Sequence, residues 1–347
     1  MSAILNSGIL DNVKKLSIQR TRKKMTTAQE KEAFKNLFRV FTALPKECLK
    51  GFACNLRVSR ETMSLYLQTQ PHISSLQINI SKNGQTDILK SDHIQGCLDN
   101  LEELCADIDD SCEGAYLQYA TWFQHAPTLR RLTIRGHHPD VPNVFDGFIL
   151  PPTTPSLKLR RLELLNLDLR KSAVSPAEQL SLTCLQQLRI VNCCNTEPLL
   201  TALAESSVKG FMTSLVSLDI SGADSEYICT ASARLIRSAG HLTDLWLDTV
   251  MPEILGLDCL EQCGASLRQL HACSSERQYK SEHLDEMVQL CPKLEMVGLT
   301  LLEFFEPSSL EQLRLRLSPS ETYTRALELY AKSLVSLQFV LITPQPS

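Results

Sequence analysis

The sequence predicts an α/β solenoid, with a parallel sheet on the concave side of an arc and helices on the convex side. Three observations carry this expectation. An apolar-x-x-apolar-x-apolar string recurs along the chain, and from Leu101 to Leu294 its steps are 28, 30, 26, 30, 27, 25 and 27 residues. Segments with helical apolar spacing lie between the strings. Leucine dominates the apolar residues while aromatics make up only 6% of the chain, as expected of a core built by repeating one unit.

The clear strings are LRRLTI from Leu129, LRRLEL from Leu159, LQQLRI from Leu185, LVSLDI from Leu215, LTDLWL from Leu242, LEMVGL from Leu294 and LVSLQF from Leu334. Degenerate copies are VKKLSI from Val13, ISSLQI from Ile73, LEELCA from Leu101 and LRQLHA from Leu267. Each string reads as a strand, since alternate side chains face the core. Between them, SEHLDEMVQLCPKL sets Leu284, Met287, Val288 and Cys291 on one helical stripe, with Ser281 as its cap and Pro292 as its stop. TEPLLTALAESSVKGF and SEYICTASARLIRSAG have the same character. One such unit cannot bury its own apolar face, but stacked units bury a continuous core between strand and helix layers. The expected domain is a single solenoid over 1–347, with its first strand near 13–18 and its last near 334–339. Residues 136–156 hold five prolines and no helical stripe, and are expected to form an irregular insertion. The step of 40 before Leu334 predicts an insertion or an extra helical turn in the last repeat.

One stretch allows two readings. LPKECLKGFACNL, residues 44–56, looks like the opening of an F-box, a helical docking motif, or like a further repeat strand through Leu49, Phe52 and Cys54. The strand reading fills the gap between Val13 and Ile73 with steps of 36 and 24. A repeat strand also precedes it, and no tryptophan follows in VSRETMSLYL. The strand is therefore expected.

HAPTLRRLTI and CPKLEMVGL place a small residue or cysteine, then Pro, then x-Leu, at the helix-to-strand junction. With a step near 27, the chain resembles the ribonuclease-inhibitor-like leucine-rich repeats from Val13 to Phe339, especially the repeat region of fungal F-box/leucine-rich-repeat proteins. The resemblance implies a leucine-rich-repeat solenoid, or horseshoe. It further implies a protein-binding scaffold that recognises substrates for ubiquitin ligation. A free-standing leucine-rich-repeat inhibitor or scaffold with no ligase link is the alternative, because no recognisable F-box stands before Val13.

Composition excludes several classes. The 347 residues are 43% hydrophobic and 21% charged with a formal net charge of -4, so no global charge draws the chain to nucleic acid or lipid. No run of about 18 apolar residues is present, and the start MSAILNSGILDNVKK lacks the pattern of a signal peptide. Thirteen cysteines, an odd number scattered through apolar periodic stretches, point to reduced thiols in cytoplasm or nucleus. Cys259 and Cys263 lie four apart without a second pair at ligand spacing, which favours packed thiols over zinc. Cys193-Cys194 reads as turn packing, and His137-His138 sits in the Pro-rich stretch without a partner ligand. The run Arg20, Arg22, Lys23, Lys24 is a nuclear import signal, a phosphate contact or, as favoured, a solvated loop. No glycine-rich phosphate loop and no catalytic constellation occur, so no enzyme, cofactor or metal is expected.

The informative surface is the outward sheet face, read from the third, fifth and seventh residues of each string. It offers Glu103, Cys105, Asp107, then Arg131, Thr133, Arg135, then Arg161, Glu163, Leu165. Next come Gln187, Arg189, Val191, then Ser217, Asp219, Ser221, and Asp244, Trp246, Asp248. Glu103 and Asp107 beside Arg131 and Arg135 are expected to pair across strands. Trp246, one of two tryptophans, stands between two carboxylates, and is either an interface anchor for a basic partner or covered by another segment. The expected protein-binding residues are Trp246, Asp244, Asp248, Asp219, Arg131, Arg135, Arg161 and Arg189.

Overall fold

The structure is a computed structural model of the chain. It describes residues 13–18, 27–57, 60–80, 96, 98–108, 126–136, 143–144, 157–169, 181–223, 226–249, 257–273, 286–300 except 288, 312–317 and 339–344. Two compact units make up the chain, Met1–Val174 with Glu178–Ser181, and Ser175–Ala177 with Leu182–Ser347.

In the first unit the strands β1 (Lys15–Ile18), β2 (Gly51–Arg57), β3 (Ser75–Ile80), β4 (Glu103–Ile108), β5 (Arg131–Gly136) and β7 (Arg161–Leu165) lie side by side in chain order, all parallel. Helix α1 (Thr27–Ala43) crosses from β1 to β2, and α2 (Arg60–Thr69) from β2 to β3. The motif explains the layering. Its first, fourth and sixth residues are buried in repeat after repeat: Leu101, Leu104 and Ala106, then Leu129, Leu132 and Ile134, then Leu159, Leu162 and Leu164. The residues between them face away. Phe41 of α1, Phe52 of β2 and Tyr66 of α2 close the helix side of this unit, with ring centroids 4.7 to 5.2 Å apart.

Residues 44–56 form no helices. Gly51–Arg57 is β2, paired on one side with β1 and on the other with β3, as the repeat spacing predicts. The buried Gln70 side chain fixes the turn before it, accepting from the Leu49 amide at 2.9 Å and donating to the Pro45 carbonyl at 2.8 Å. Within the Pro-rich stretch, the described residues form the two-residue strand β6 (Asn143–Val144), which pairs with β8 (Leu167–Asp168). The other residues from 137 to 156, including His137 and His138, lie outside the described residues, as does the basic run Arg20 to Lys24.

The second unit repeats the scheme with β9 (Gln187–Val191), β10 (Ser217–Ala223), β11 (Asp244–Thr249), β12 (Gln269–Cys273), β13 (Met296–Thr300), β14 (Gln312–Leu317) and β15 (Phe339–Pro344), again parallel and in order. Between β9 and β10 runs α3 (Glu197–Val208), and between β10 and β11 runs α4 (Glu226–Ser238). Pro198 sits in the first turn of α3, where its missing N–H costs nothing, and Gly210 ends the helix at φ +80° with its amide on the Ser207 carbonyl. Leu199, Leu200, Leu203 and Ala204 of α3 are buried, and the Ser207 hydroxyl donates to the Ser238 carbonyl of α4 at 2.9 Å.

The C-terminal part corrects the sequence reading. The stretch expected to be an insertion or an extra helical turn contains a strand, β14, and a further strand is described at Phe339–Pro344; residues 334 to 338 of the expected last strand lie outside the described residues. In register, Leu313 pairs with Val340, 27 residues on, so the ordinary step returns once β14 is counted. Val297 and Leu313 are only 16 apart, so the string LEQLRL falls outside the period of the other strands.

Strand exits share a device. Asn166, Asn192 and Gly222 occupy the same motif phase and all have positive φ, at 55°, 50° and 74°. Asparagine and glycine tolerate this left-handed turn better than other residues. A β-carbon on Gly222 would lie 2.6 Å from Asn192 Oδ1, so Gly222→Ala meets both strain and collision. It should cost about 1–3 kcal/mol and lower the melting temperature by several degrees in calorimetry. Tyr66→Phe should behave oppositely. The Tyr66 hydroxyl is fully buried with no partner among the described residues, so its removal should leave stability equal or raise it by up to about 1 kcal/mol.

Candidate functional site

The motif that buries three positions of each repeat leaves the alternate side chains as cross-strand rows on the sheet face away from the helices. In the first unit one row is Gln77, Cys105, Thr133 and Glu163, and a neighbouring row is Asp107, Arg135 and Leu165. Asp107 and Glu163 are each only 8% exposed, and their carboxylates are held by polar neighbours. Asp107 accepts from Gln77 Nε2 at 3.3 Å and lies 3.7 Å from the Arg135 guanidinium. Glu163 accepts from Thr133 Oγ1 at 2.9 Å and from Arg161 through both Nε and a terminal nitrogen.

The expected cross-strand pairing therefore holds for Asp107 with Arg135 but not for Glu103 with Arg131. Glu103 instead accepts from Ser75 Oγ of β3 at 3.1 Å, on the side away from β5. Arg131 stays exposed, with Arg161 as its register partner on β7.

Cys105 sits among these acids. Burial, followed by the Asp107 carboxylate, pushes its thiol up to about 12, while Arg135 works in the other direction. The other cysteines singled out by sequence follow the same physics. Cys259 and Cys263 are buried, and burial first of all raises them to about 12 and about 11. They are packed, protonated thiols. Among the described residues, no group of three or more His, Cys, Asp or Glu side chains is arranged to hold a metal ion, and no helix is long and apolar enough to cross a membrane.

In the second unit the central row is Arg189, Asp219, Trp246 and His271. Arg189 Nε donates to Asp219 Oδ2 at 2.8 Å, and Ser221 Oγ donates to Oδ1 of the same carboxylate at 2.6 Å. Trp246 is half-buried and its ring stacks on His271, with centroids 4.6 Å apart and planes at 24°. Asp244 and Asp248 flank Trp246 along β11, both half-buried, and Asp244 accepts from Thr243 Oγ1 at 2.6 Å. Beyond His271 the next residue in the row is Gly298, which adds no side chain. Trp246, Asp244, Asp248, Asp219 and Arg189 are thus on one face of one unit. Arg131, Arg135 and Arg161 belong to the other unit.

Sequence reasoning missed His271. The outward positions were read only as far as the string through Leu242, one repeat short of LRQLHA; the register of β12 on β11 sets His271 beside Trp246. A cleft of about 390 Å³ also lies between α3 and α4, lined in part by Ala204, Val208, Lys209 and Arg234.

Compared with known proteins, the chain matches no family model and no curated sequence.

The Cys105 thiol gives a pH signature. Its folded pKa lies above the ordinary value of 9.0, so the folded state retains a proton that the unfolded state releases. Its contribution to stability is complete below about pH 9 and is lost as pH rises from there towards 12. Thermal melts at increasing pH should show a shallower alkaline fall for Cys105→Ser than for the parent. Iodoacetamide should modify Cys105 only slowly near neutral pH.

Proposed function

We propose that the chain is a protein-binding leucine-rich-repeat module of the ribonuclease-inhibitor-like kind, with its parallel sheet on the concave side of a horseshoe. It engages a partner through the outward sheet face. Its context is substrate recognition for ubiquitin ligation, by resemblance to F-box/leucine-rich-repeat proteins. A free-standing inhibitor or scaffold is the second reading, favoured by β2 occupying the stretch that looked like an F-box opening.

The observation that carries the proposal is the Trp246–His271 stack among Asp219, Asp244 and Asp248. A stacked indole is rigid, so a partner orders few rotamers on contact. Its half-buried ring leaves apolar surface to desolvate. Asp219 is balanced by Arg189, so Asp244 and Asp248 give that surface its negative potential, which selects and steers a basic partner more than it adds affinity. No catalytic step is assigned to these residues.

The test begins with a partner captured by the parent chain, purified and titrated against Trp246→Ala. The substitution should weaken binding by roughly 2 kcal/mol or more while the melting temperature holds. Unchanged affinity with a clear loss of stability would make Trp246 a packing residue and remove the proposal's support. Reconstitution with the ligase adaptor separates the two contexts, since a free-standing scaffold would not be retained on it.

A further inference from the structure

The first unit carries a surface of the opposite chemistry at the entrances of β5 and β7. Arg130 and Arg131 lead into β5, Arg160 and Arg161 lead into β7, and all four are exposed. Arg131 and Arg161 are direct register partners. The amides of Arg160 and Arg161 both donate to the Arg130 carbonyl, at 2.7 and 3.0 Å. The backbone thus fixes two arginine pairs one strand spacing apart, about 4.8 Å. Lys158, also exposed, precedes the second pair.

Like charges directly opposite on neighbouring strands are unfavourable. Glu163 relieves Arg161, but the nearby acids leave Arg131 without a counter-charge. Glu103, the register partner of Arg131 on β4, is drawn to Ser75 on the far side. Glu163 is taken by Arg161 and Thr133, and Asp107 by Arg135 and Gln77. Among the described residues Arg130, Arg131 and Arg160 make no ion pair, although Glu102 is exposed at the entrance of β4.

We propose that this double-arginine ledge binds an acidic peptide segment of a partner protein, its oxyanions being carboxylates or a phosphate monoester. A guanidinium presents parallel N–H donors that match either oxyanion, and arginines on two adjoining strands can converge on one site. The ledge is two strands wide and bounded on the β4 side by Glu102 and Glu103. It suits a short acidic run, whereas a longer polyanion such as RNA would meet those carboxylates. The proposal does not rest on Trp246, which belongs to the other unit.

The experiment measures fluorescence anisotropy of a labelled octaglutamate peptide, a labelled phosphoserine peptide with neutral flanks, and a labelled octaglutamine peptide, each titrated with the full chain. One or both oxyanion peptides should bind saturably and more weakly as salt rises, and octaglutamine should not. The double substitution Arg131→Gln, Arg160→Gln should weaken binding about tenfold or more with the melting temperature unchanged, and Trp246→Ala should leave it as in the parent. Should the double variant fail to fold, Arg131→Lys and Arg160→Lys keep the charge and remove the fork, and each should still weaken binding severalfold. Equal binding of octaglutamine, no loss in the arginine variants, or tighter arginine-dependent binding of a single-stranded RNA would overturn the proposal.

Discussion

Each unit depends on one repeated hydrogen-bonding step. At the entrance of a strand, two consecutive amides converge on a single carbonyl of the preceding repeat. Ser74 and Ser75 donate to Lys50, Glu102 and Glu103 to Ser74, Arg130 and Arg131 to Glu102, and Arg160 and Arg161 to Arg130. The second unit does the same, with Val216 and Ser217 on Gln186, Thr243 and Asp244 on Val216, and Arg268 and Gln269 on Thr243. The carbonyl always belongs to the residue after the first apolar position of the motif. The step therefore sets the register of every following pair. A slip of one residue would turn Leu132 and Ile134 outward and bring Arg131 and Thr133 into the core.

This constraint explains what the sequence reveals and what it conceals. The buried positions are legible because they must be apolar in every repeat; Leu49, Phe52 and Cys54 could be assigned to a strand on spacing alone, and all three are buried. Degenerate repeats are legible only in part. Ala106 and Ala272 stand where most repeats have leucine or isoleucine, so the strings through Leu101 and Leu267 give a weaker signal, and the contact of His271 with Trp246 follows only from the register of their strands. β14 was missed because its unit is 16 residues, too short for the period that located the others. Pairing between side chains on the outward face is beyond the motif altogether. Glu103 and Arg131 occupy opposed positions, yet Ser75 competes for the same carboxylate from the other neighbouring strand. Periodicity says which residues share a face; it does not say to which side each one turns.

The acids on the outward face follow a consistent pattern. Asp107, Glu163 and Asp219 all accept hydrogen bonds from neutral side chains as well as facing an arginine. A partly buried carboxylate needs partners for its oxygens, and with several donors the loss of one leaves the others in place. The arginines that serve these acids keep much of their side chain in water, with Arg135, Arg161 and Arg189 each close to half exposed. Acids are thus fixed in the sheet surface while cations stand above it. A ligand approaching the face of the first unit meets guanidinium groups first.

The same geometry separates recognition from stability. Because the first, fourth and sixth motif positions hold each repeat together, the third, fifth and seventh can vary without disturbing the core. The conjunction of Trp246 with His271 is therefore not required by the fold, and neither is the run of Arg130, Arg131, Arg160 and Arg161. A tryptophan on the outward face leaves part of its ring outside the core, and Arg131 opposite Arg161 adds repulsion that Glu163 offsets on the Arg161 side alone. Under the proposed binding roles, contact with a complementary surface would cover the Trp246 ring and neutralise the arginines. The cysteines show the reverse case: Cys54, Cys229, Cys259, Cys263 and Cys291 are buried, where a small apolar thiol supports packing. Side chains explained by packing lie in the core, whereas Trp246, Arg131 and Arg161 stand on the outward sheet face.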